Sequence, residues 1–287
     1  MYDTSLTISG TNPEYREKIV KIACIGGGNM VSAIVAGLVG HGMKGSDITV
    51  KDPHEDKRAK LEALYGIRTT DTVGAWITEA DVLVLGVKPQ ALKEALKEVA
   101  PLIGKDTTVI SIAAGVTVEA LNNWTGTDRI VRAMPNTPAM VSQGFTGLYA
   151  PETATEVDVD RAEKVVAAIG QYRKFDHEDD LHTVTGGPGS GVAYVFLFMQ
   201  GLQEALERQG VDTQAAHDLA LATVEGAAAL ARQSGTDFAT LRQNVTSKGG
   251  TTAKAIETFE AHDLRGTIDA AVKACIARSK EMSKLFK

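Results

Sequence analysis

Ile19-Val20-Lys21-Ile22-Ala23-Cys24-Ile25-Gly26-Gly27-Gly28-Asn29-Met30-Val31 is the stretch that decides the fold. An apolar, β-branched run ends in three glycines, and helical spacing takes over across Met30–Val39. Glycine at position 26 permits a tight turn, and glycine at 28 lets the backbone approach a pyrophosphate. The helix behind them offers unpaired N–H groups and the positive end of its dipole. A glycine triplet alone is a weak signal. The strand before it and the helix after it supply the context that a dinucleotide-binding loop requires. Gly26, Gly27, Gly28, Asn29 and Met30 are therefore candidate cofactor-binding residues. The third position of the fingerprint is Val31 rather than glycine or alanine, so helix and strand are expected to sit slightly further apart.

Working outward, the same alternation continues to about Asp176. Strands are predicted at Ile19–Ile25, Ile48–Lys51, Val82–Val87, Thr108–Ile112 and Ile130–Ala133, with helices near Met30–Val39, Asp56–Leu64 and Ala91–Val99. Val82–Val87 and Thr108–Ile112 are almost wholly apolar, as strands covered on both faces should be. Strands alternating with helical crossovers imply an α/β fold with a doubly wound, Rossmann-type, mostly parallel sheet. Phe145–Tyr149, Val157–Ile169 and Tyr172–Phe175 extend that domain. After Glu178 strand signals vanish and an all-α C-terminal dimerisation domain is expected. The division is a polar extension at 1–18, a dinucleotide-binding domain at 19–178 and a helical substrate and dimerisation domain at 179–287. Val192–Met199 is eight apolar residues in a row. A helix apolar all round must be buried all round, and a second subunit is the simplest cover. The plainer reading is a central helix in a monomeric bundle.

Composition narrows the classes. The chain has 287 residues, 44% hydrophobic and 23% charged, with a net charge of −6. An acidic balance argues against nucleic acid or an anionic membrane as partner, since both call for a basic surface. Cys24 lies in the first strand and Cys275 in a helical run, and both are expected to be inert thiols; no metal site is expected. Met1–Lys18 carries no apolar core of a secretory signal. No run approaches the ~20 apolar residues of a membrane helix. A soluble, cytoplasmic protein is expected.

The nucleotide's identity turns on the end of the second strand. Asp52 stands 24 positions beyond Gly28, close to where an acid accepts the 2′-hydroxyl of NAD. Lys51, His54, Lys57 and Arg58 surround it and offer cations for the 2′-phosphate of NADP. A solvated charge cluster opening a helix is the bland alternative. NADPH is the expected cofactor, with NADH open beside it.

Three further segments follow strands: Gly86-Val87-Lys88-Pro89-Gln90, Ser111-Ile112-Ala113-Ala114-Gly115-Val116-Thr117 and Arg132-Ala133-Met134-Pro135-Asn136-Thr137-Pro138-Ala139. They therefore lie at the carboxyl ends where such sheets bind ligands. Small residues there leave room for a flat ring, and the prolines stiffen the backbone. Together with Ala193-Tyr194-Val195-Phe196 and Gly249-Gly250-Thr251-Thr252, these segments closely resemble the pyrroline-5-carboxylate reductase family over about residues 19–285. The resemblance implies that Val87, Lys88, Pro89, Ala113, Ala114, Gly115, Met134, Pro135 and Asn136 line the cofactor pocket. It implies that Ser247, Gly249, Gly250, Thr251 and Thr252 hold the substrate carboxylate. Thr252 would also hydrogen-bond the ring nitrogen and is the candidate catalytic residue. From the residues alone, Ser247–Thr252 is a glycine-rich entry to a helix near Thr252–Ala261, fit either for a carboxylate or merely for starting the helix. Dimers that gather into larger rings are also implied. Two departures stand out: Lys248 where the family has proline, and Pro188-Gly189-Ser190-Gly191-Val192 where it has a serine-rich segment ending in proline.

The implied reaction is NAD(P)H-dependent reduction of 1-pyrroline-5-carboxylate to L-proline. An imine that takes up a proton before reduction needs no strong side-chain acid, and none of the six histidines lies in these motifs. His177 and His182 read as surface or junction residues. A hydroxy-acid dehydrogenase would need a positioned proton donor, for which Lys248 is the odd candidate. A catalytically silent nucleotide sensor is the alternative from another class.

Overall fold

The computed structural model describes residues 21–286; the extension at 1–18 and the first two residues of the expected strand Ile19–Ile25 lie outside them. The chain runs β1 (Ile22–Ile25), α1 (Asn29–Gly40), β2 (Ile48–Lys51), α2 (Glu55–Tyr65), β3 (Arg68–Thr70), α3 (Ala75–Thr78), β4 (Val82–Leu85), α4 (Pro89–Val99), β5 (Thr108–Ser111), α5 (Val118–Thr125), β6 (Ile130–Met134), β7 (Gly144–Tyr149), α6 (Glu156–Ala167), β8 (Gly170–Lys174) and α7 (Asp180–Val184). The remaining helices are α8 (Ser190–Arg208), α9 (Thr213–Ser234), α10 (Phe238–Asn244), α11 (Thr251–Ala261) and α12 (Leu264–Ser283).

The eight strands form one sheet in the order β3-β2-β1-β4-β5-β6-β7-β8. The first six in that order are parallel, β7 runs antiparallel to β6, and β8 is parallel to β7. Chain order reverses direction at β1, between β2 and β4, which is the switch point where open sheets bind nucleotides. Side chains on a strand alternate faces. In β1, Ile22 and Cys24 join a core with Ile34, Val35 and Val166, while Ala23 and Ile25 join another with Leu92, Leu96 and Leu121. Both faces are covered, which is why β1 and β4 read as unbroken apolar runs and β5 is apolar at its centre, Val109-Ile110. Each fully buried Leu or Ile stabilises this core by roughly 1.5–3 kcal/mol. Burial also pushes the Cys24 thiol up to about 12, leaving it neutral.

Three elements escaped the sequence reading. β3 is three residues long and sits at the sheet edge, with Arg68 exposed. The four-residue α3 and eight-residue α5 are too short for a periodic signal. The Thr117 hydroxyl does cap α5 by accepting from the Ala120 N–H at 3.2 Å.

A buried polar knot ties the start of α6 to the amino-terminal end of β5. Asp158 is fully buried; its carboxylate takes hydrogen bonds from the Thr108 hydroxyl and from the Thr155 N–H at 2.9 Å and hydroxyl at 2.7 Å, and pairs with the Arg129 guanidinium at 3.1 Å. Thr155 in turn caps the helix, so the two residues form a reciprocal capping box. Arg161, one helical turn on, donates to the carbonyls of Asp81 and Asp106.

Among the described residues two compact units emerge: one at 191–273, and the α/β unit 21–190 together with 274–286. In the α/β unit the last turns of the chain pack on the sheet side. Ser279 hydrogen-bonds the His182 ring at 2.8 Å, Lys280 pairs with Asp179 at 3.2 Å, and Phe286 joins the core beside Ala113 and Val116. His182, expected at a surface or junction, is thus buried. That burial, opposed by Asp179, holds its imidazole below the ordinary range. Between α7 and α8 the chain makes a wide turn at Thr185–Gly189, in which Gly187 leaves helical geometry at φ −87°, ψ −105°. The altered Pro188–Val192 segment therefore lies at this kink and the start of α8.

The unit at 191–273 is helical throughout. Asp212 and Asp237 cap α9 and α10 by accepting the N–H groups of Ala215 and Thr240. In this single chain Val195, Phe196, Leu197 and Phe198 on α8 are all exposed. Among the described residues no helix is long and apolar enough to cross a membrane, and no group of three His, Cys, Asp or Glu side chains gathers as a metal requires.

Candidate active site

The carboxyl ends of β1, β2, β4, β5 and β6 share one edge of the sheet, and the glycine loop with the segments Gly86–Gln90, Ser111–Thr117 and Arg132–Ala139 lies along it. Gly26 adopts φ +96°, donates its N–H to the Lys51 carbonyl at 2.7 Å, and leaves no room for a side chain: a Cβ there would stand 2.9 Å from the Gly86 carbonyl oxygen. A non-glycine residue would be strained by both conformation and contact. Gly28 is the N-cap of α1, in extended conformation, with nothing within 4 Å of a Cβ built on it. α1 has no side-chain cap and no acidic residue in its first turn, so the N–H groups around Asn29 and Met30 face an open cradle. An uncapped helix start behind an open glycine fits a pyrophosphate.

Val31 stands at the third position of the fingerprint. It is fully buried, and the room for it comes from across the sheet: a Cβ on Gly86, at the end of β4, would fall 2.2 Å from Val31 Cγ2. The small residue that the fingerprint asks for at its third position has been moved to another loop. Gly86 N–H donates to the Ile25 carbonyl at 2.8 Å, so the two loops are also joined by backbone.

A cavity of about 490 Å³ opens at Gly27, Gly28 and Asn29 and runs between α1 and α2. Ser32, Ala33 and Ala36 line one wall, Lys57, Lys60 and Leu61 the other. Lys60 escaped the sequence reading, although its spacing of three from Lys57 puts both on one helix face. Of the other cations named there, Arg58 donates to the Asp52 carbonyl at 2.8 Å and Lys51 lies 3.6 Å from Glu98. Asp52 itself is buried. Its carboxylate accepts the Gly27 N–H at 2.7 Å and the His54 N–H at 2.9 Å. Expected to meet a ribose hydroxyl, it is engaged with the glycine loop.

The remaining segments differ in how open they are. Val87 packs against the core beside the Gly26 turn, while Lys88 caps α4 and Pro89 is its first residue, where a missing N–H costs nothing. Ala113 and Gly115 are buried, Gly115 at φ +80° under Ser283 and Phe286. Met134 and Pro135 close β6. Asn136 has its side chain committed, donating to the Pro188 carbonyl at 3.0 Å and accepting the Phe145 N–H at 2.8 Å. It secures the turn. Glu178, not singled out from sequence, clamps the same region by accepting from the Val118 N–H at 2.7 Å and Arg132 at 2.8 Å.

Ser247–Thr252 belongs to the helical unit. Gly249 turns at φ +75°, the Gly250 N–H returns to the Ser247 carbonyl at 3.0 Å, and α11 begins at Thr251, one residue earlier than expected. Gly250 caps α11 without a side-chain acceptor, and Ser247, Thr251 and Thr252 are exposed. A Cβ on Gly250 would collide with the Ser247 hydroxyl. The segment thus presents hydroxyls and free N–H groups together, as a carboxylate requires.

Comparison with known proteins matches both units. A family model described as pyrroline-5-carboxylate reductase dimerisation fits residues 178–282, and one described as NADP oxidoreductase, coenzyme F420-dependent fits residues 21–115. The pyrroline-5-carboxylate reductase of Vibrio alginolyticus is 42% identical over 93% of this chain and 98% of its own. The structure of that enzyme from Coxiella burnetii superposes with a TM-score of 0.87 at 38% identity, covering 92% of this chain and 99% of its own. A Plasmodium falciparum structure with NADP bound reaches 0.82 at 25% identity, covering 92% and 98%. With relatives this similar across almost its whole length, the chain belongs to the pyrroline-5-carboxylate reductase family.

Proposed function

We propose that this chain reduces 1-pyrroline-5-carboxylate to L-proline with NADPH, using Gly26–Asn29 for the pyrophosphate and Ser247–Thr252 for the substrate carboxylate. The observation that carries the reading is the open, uncapped start of α1 behind Gly28, in a chain whose family membership spans both units. When bound, the reduced nicotinamide supplies the hydride that the imine carbon accepts. Val87–Pro89, Ala114 and Met134–Pro135, with Ala113 and Gly115 packed behind them, supply a proline-stiffened wall along the strand ends, suited to hold a flat ring and to exclude water. Thr251 and Thr252, with the N–H groups of α11, anchor the carboxylate, and the Thr252 hydroxyl meets the ring nitrogen. The proton on that nitrogen comes from solvent before reduction, so no side-chain acid is required. The direct test is oxidation of NADPH on adding pyrroline-5-carboxylate; a purified, folded protein that turns over neither NADPH nor NADH with it would favour the silent sensor.

Preference for NADPH is supported by Lys57 and Lys60 on the wall of the cavity that starts at Gly27. Reversing both charges (Lys57→Glu with Lys60→Glu) is expected to raise the NADPH dissociation constant about a hundredfold, two charge-assisted contacts, while NADH binding changes little. Fluorescence titration measures both constants, and an equal loss for the two nucleotides would remove these lysines from 2′-phosphate recognition.

A homodimer through the helical unit is supported by the exposed run Val195–Phe198, since a contiguous apolar surface of that kind marks an interface. Light scattering at micromolar concentration should return twice the 30.4 kDa chain mass or a multiple of it; a monomeric mass would contradict the interface.

A further inference from the structure

The acid at the end of β2 has a different task from the one its position suggests. In dinucleotide-binding sheets an acid there accepts ribose hydroxyls and so selects the nucleotide. Asp52 is only 5% exposed. Oδ2 takes the Gly27 N–H at 2.7 Å, across 25 residues of sequence, and Oδ1 takes the N–H of His54 at 2.9 Å. Its own N–H goes to the Thr70 carbonyl at 3.1 Å, and its carbonyl receives Arg58 at 2.8 Å. Every polar group of the residue is thus engaged within the protein. The fit to the loop is close: a Cβ on Gly27 would stand 3.2 Å from Asp52 Cβ and 3.3 Å from Oδ2. The Lys57 ammonium stands 4.0 Å from Oδ2 and the His54 ring 3.9 Å from Oδ1.

We infer that Asp52 is a positioning residue for the phosphate loop: its carboxylate holds the middle glycine, and through it the Gly28 cradle, to the start of α2. The inference rests on the reading that Gly26–Asn29 binds a nicotinamide dinucleotide. A middle glycine is free to swing; tying its N–H to a buried carboxylate points the remaining N–H groups of the loop and of α1 outward. A carboxylate suits the task better than a neutral acceptor because it accepts two backbone N–H groups at once, and charge-assisted hydrogen bonds are the stronger kind. Its negative charge is turned toward the Gly27 and His54 N–H groups that it accepts.

A ribose reader and a loop holder respond differently to substitution. Asp52→Ala is expected to raise the dissociation constants of NADPH and NADH by the same factor, about tenfold, as the loss of one charge-assisted hydrogen bond that orders a site would. Asp52→Asn keeps one acceptor oxygen and should restore part of the affinity for both nucleotides, again equally. Fluorescence titration of each variant with each nucleotide reads this, and thermal denaturation identifies a variant that has simply unfolded. In parallel, hydrogen exchange should find the Gly27 amide protected in the unliganded wild type and released in Asp52→Ala, or in Asp52→Asn if the alanine variant does not fold. Weakened NADH binding with NADPH unchanged or tightened would overturn the inference, as would a Gly27 amide that exchanges equally fast in wild type and variant. Wild-type protein that binds neither nucleotide would instead sink the dinucleotide reading, and the Gly27 amide would still decide whether Asp52 holds the loop.

Discussion

Asp158→Ala should lower the urea midpoint by the equivalent of about 3–5 kcal/mol, the cost of leaving a buried partner uncompensated. The carboxylate is fully buried and serves Thr108, Arg129 and Thr155 together. Removing it strips α6 of half its capping box and leaves Arg129 facing a void, with a guanidinium whose Nε already lacks a partner. The loss spreads, because Thr108 opens β5 at the centre of the sheet and Arg161 fastens the neighbouring carbonyls of Asp81 and Asp106. In a domain of this size about 2–4 °C of melting temperature follows each kcal/mol, so thermal denaturation should move by about 10 °C. Asp158→Asn keeps an acceptor for the Thr155 N–H and should lose less. A midpoint unchanged in the alanine variant would mean that the knot contributes no stability.

Gly86→Ala is the second large effect, and it carries its own control. The added methyl would lie 2.2 Å from Val31 Cγ2, so something must shift, and a valine in a helix is held to one preferred rotamer. Overpacking of that kind costs about 1–3 kcal/mol. Because Val31 sits in the first turn of α1, the strain falls on the phosphate cradle, and nucleotide affinity should drop by at least about tenfold. Adding Val31→Ala removes the colliding methyl groups; the other neighbours of the new Cβ, the Ile25 carbonyl at 3.5 Å and Ile112 Cδ1 at 3.6 Å, are at ordinary contact. The double variant should therefore regain stability and nucleotide binding relative to Gly86→Ala, with a coupling of about 1–2 kcal/mol in the cycle. Purely additive losses would show that the two positions do not share this space.

How much of this was legible in the sequence depended on the range of the forces involved. Val82–Leu85 announced itself because a strand buried on both faces can be apolar throughout, and Thr108–Ser111 because its centre is Val109-Ile110. The run at Val192–Met199 implied cover from outside the helix, and its large side chains Val195, Phe196, Leu197 and Phe198 stand exposed in the single chain. β3 stayed hidden because a short edge strand needs neither alternation nor apolarity. The chemistry of side chains was legible as type but not as partner. Asp52, Asn136 and His182 are each committed to atoms 25, 52 and 97 residues away, and nothing in local spacing reveals such a pairing. Val31 is the same lesson in packing, since its compensation is written at Gly86.

The return of residues 274–286 to the α/β unit has a consequence for the order of synthesis. The segment that covers Gly115 and pairs Ser279 with His182 is made only after the whole helical unit at 191–273 has emerged. Domains fold as they appear during translation, so the sheet can assemble early but must wait for its last piece. Bringing Ser283 onto Gly115 closes a loop of well over a hundred residues, and an unstructured loop grows costlier with length. A helical unit that folds first shortens the effective loop. The nascent chain is thus expected to pass through a stage in which the sheet is formed while the buried turn at Ala113–Gly115 is still bare to water.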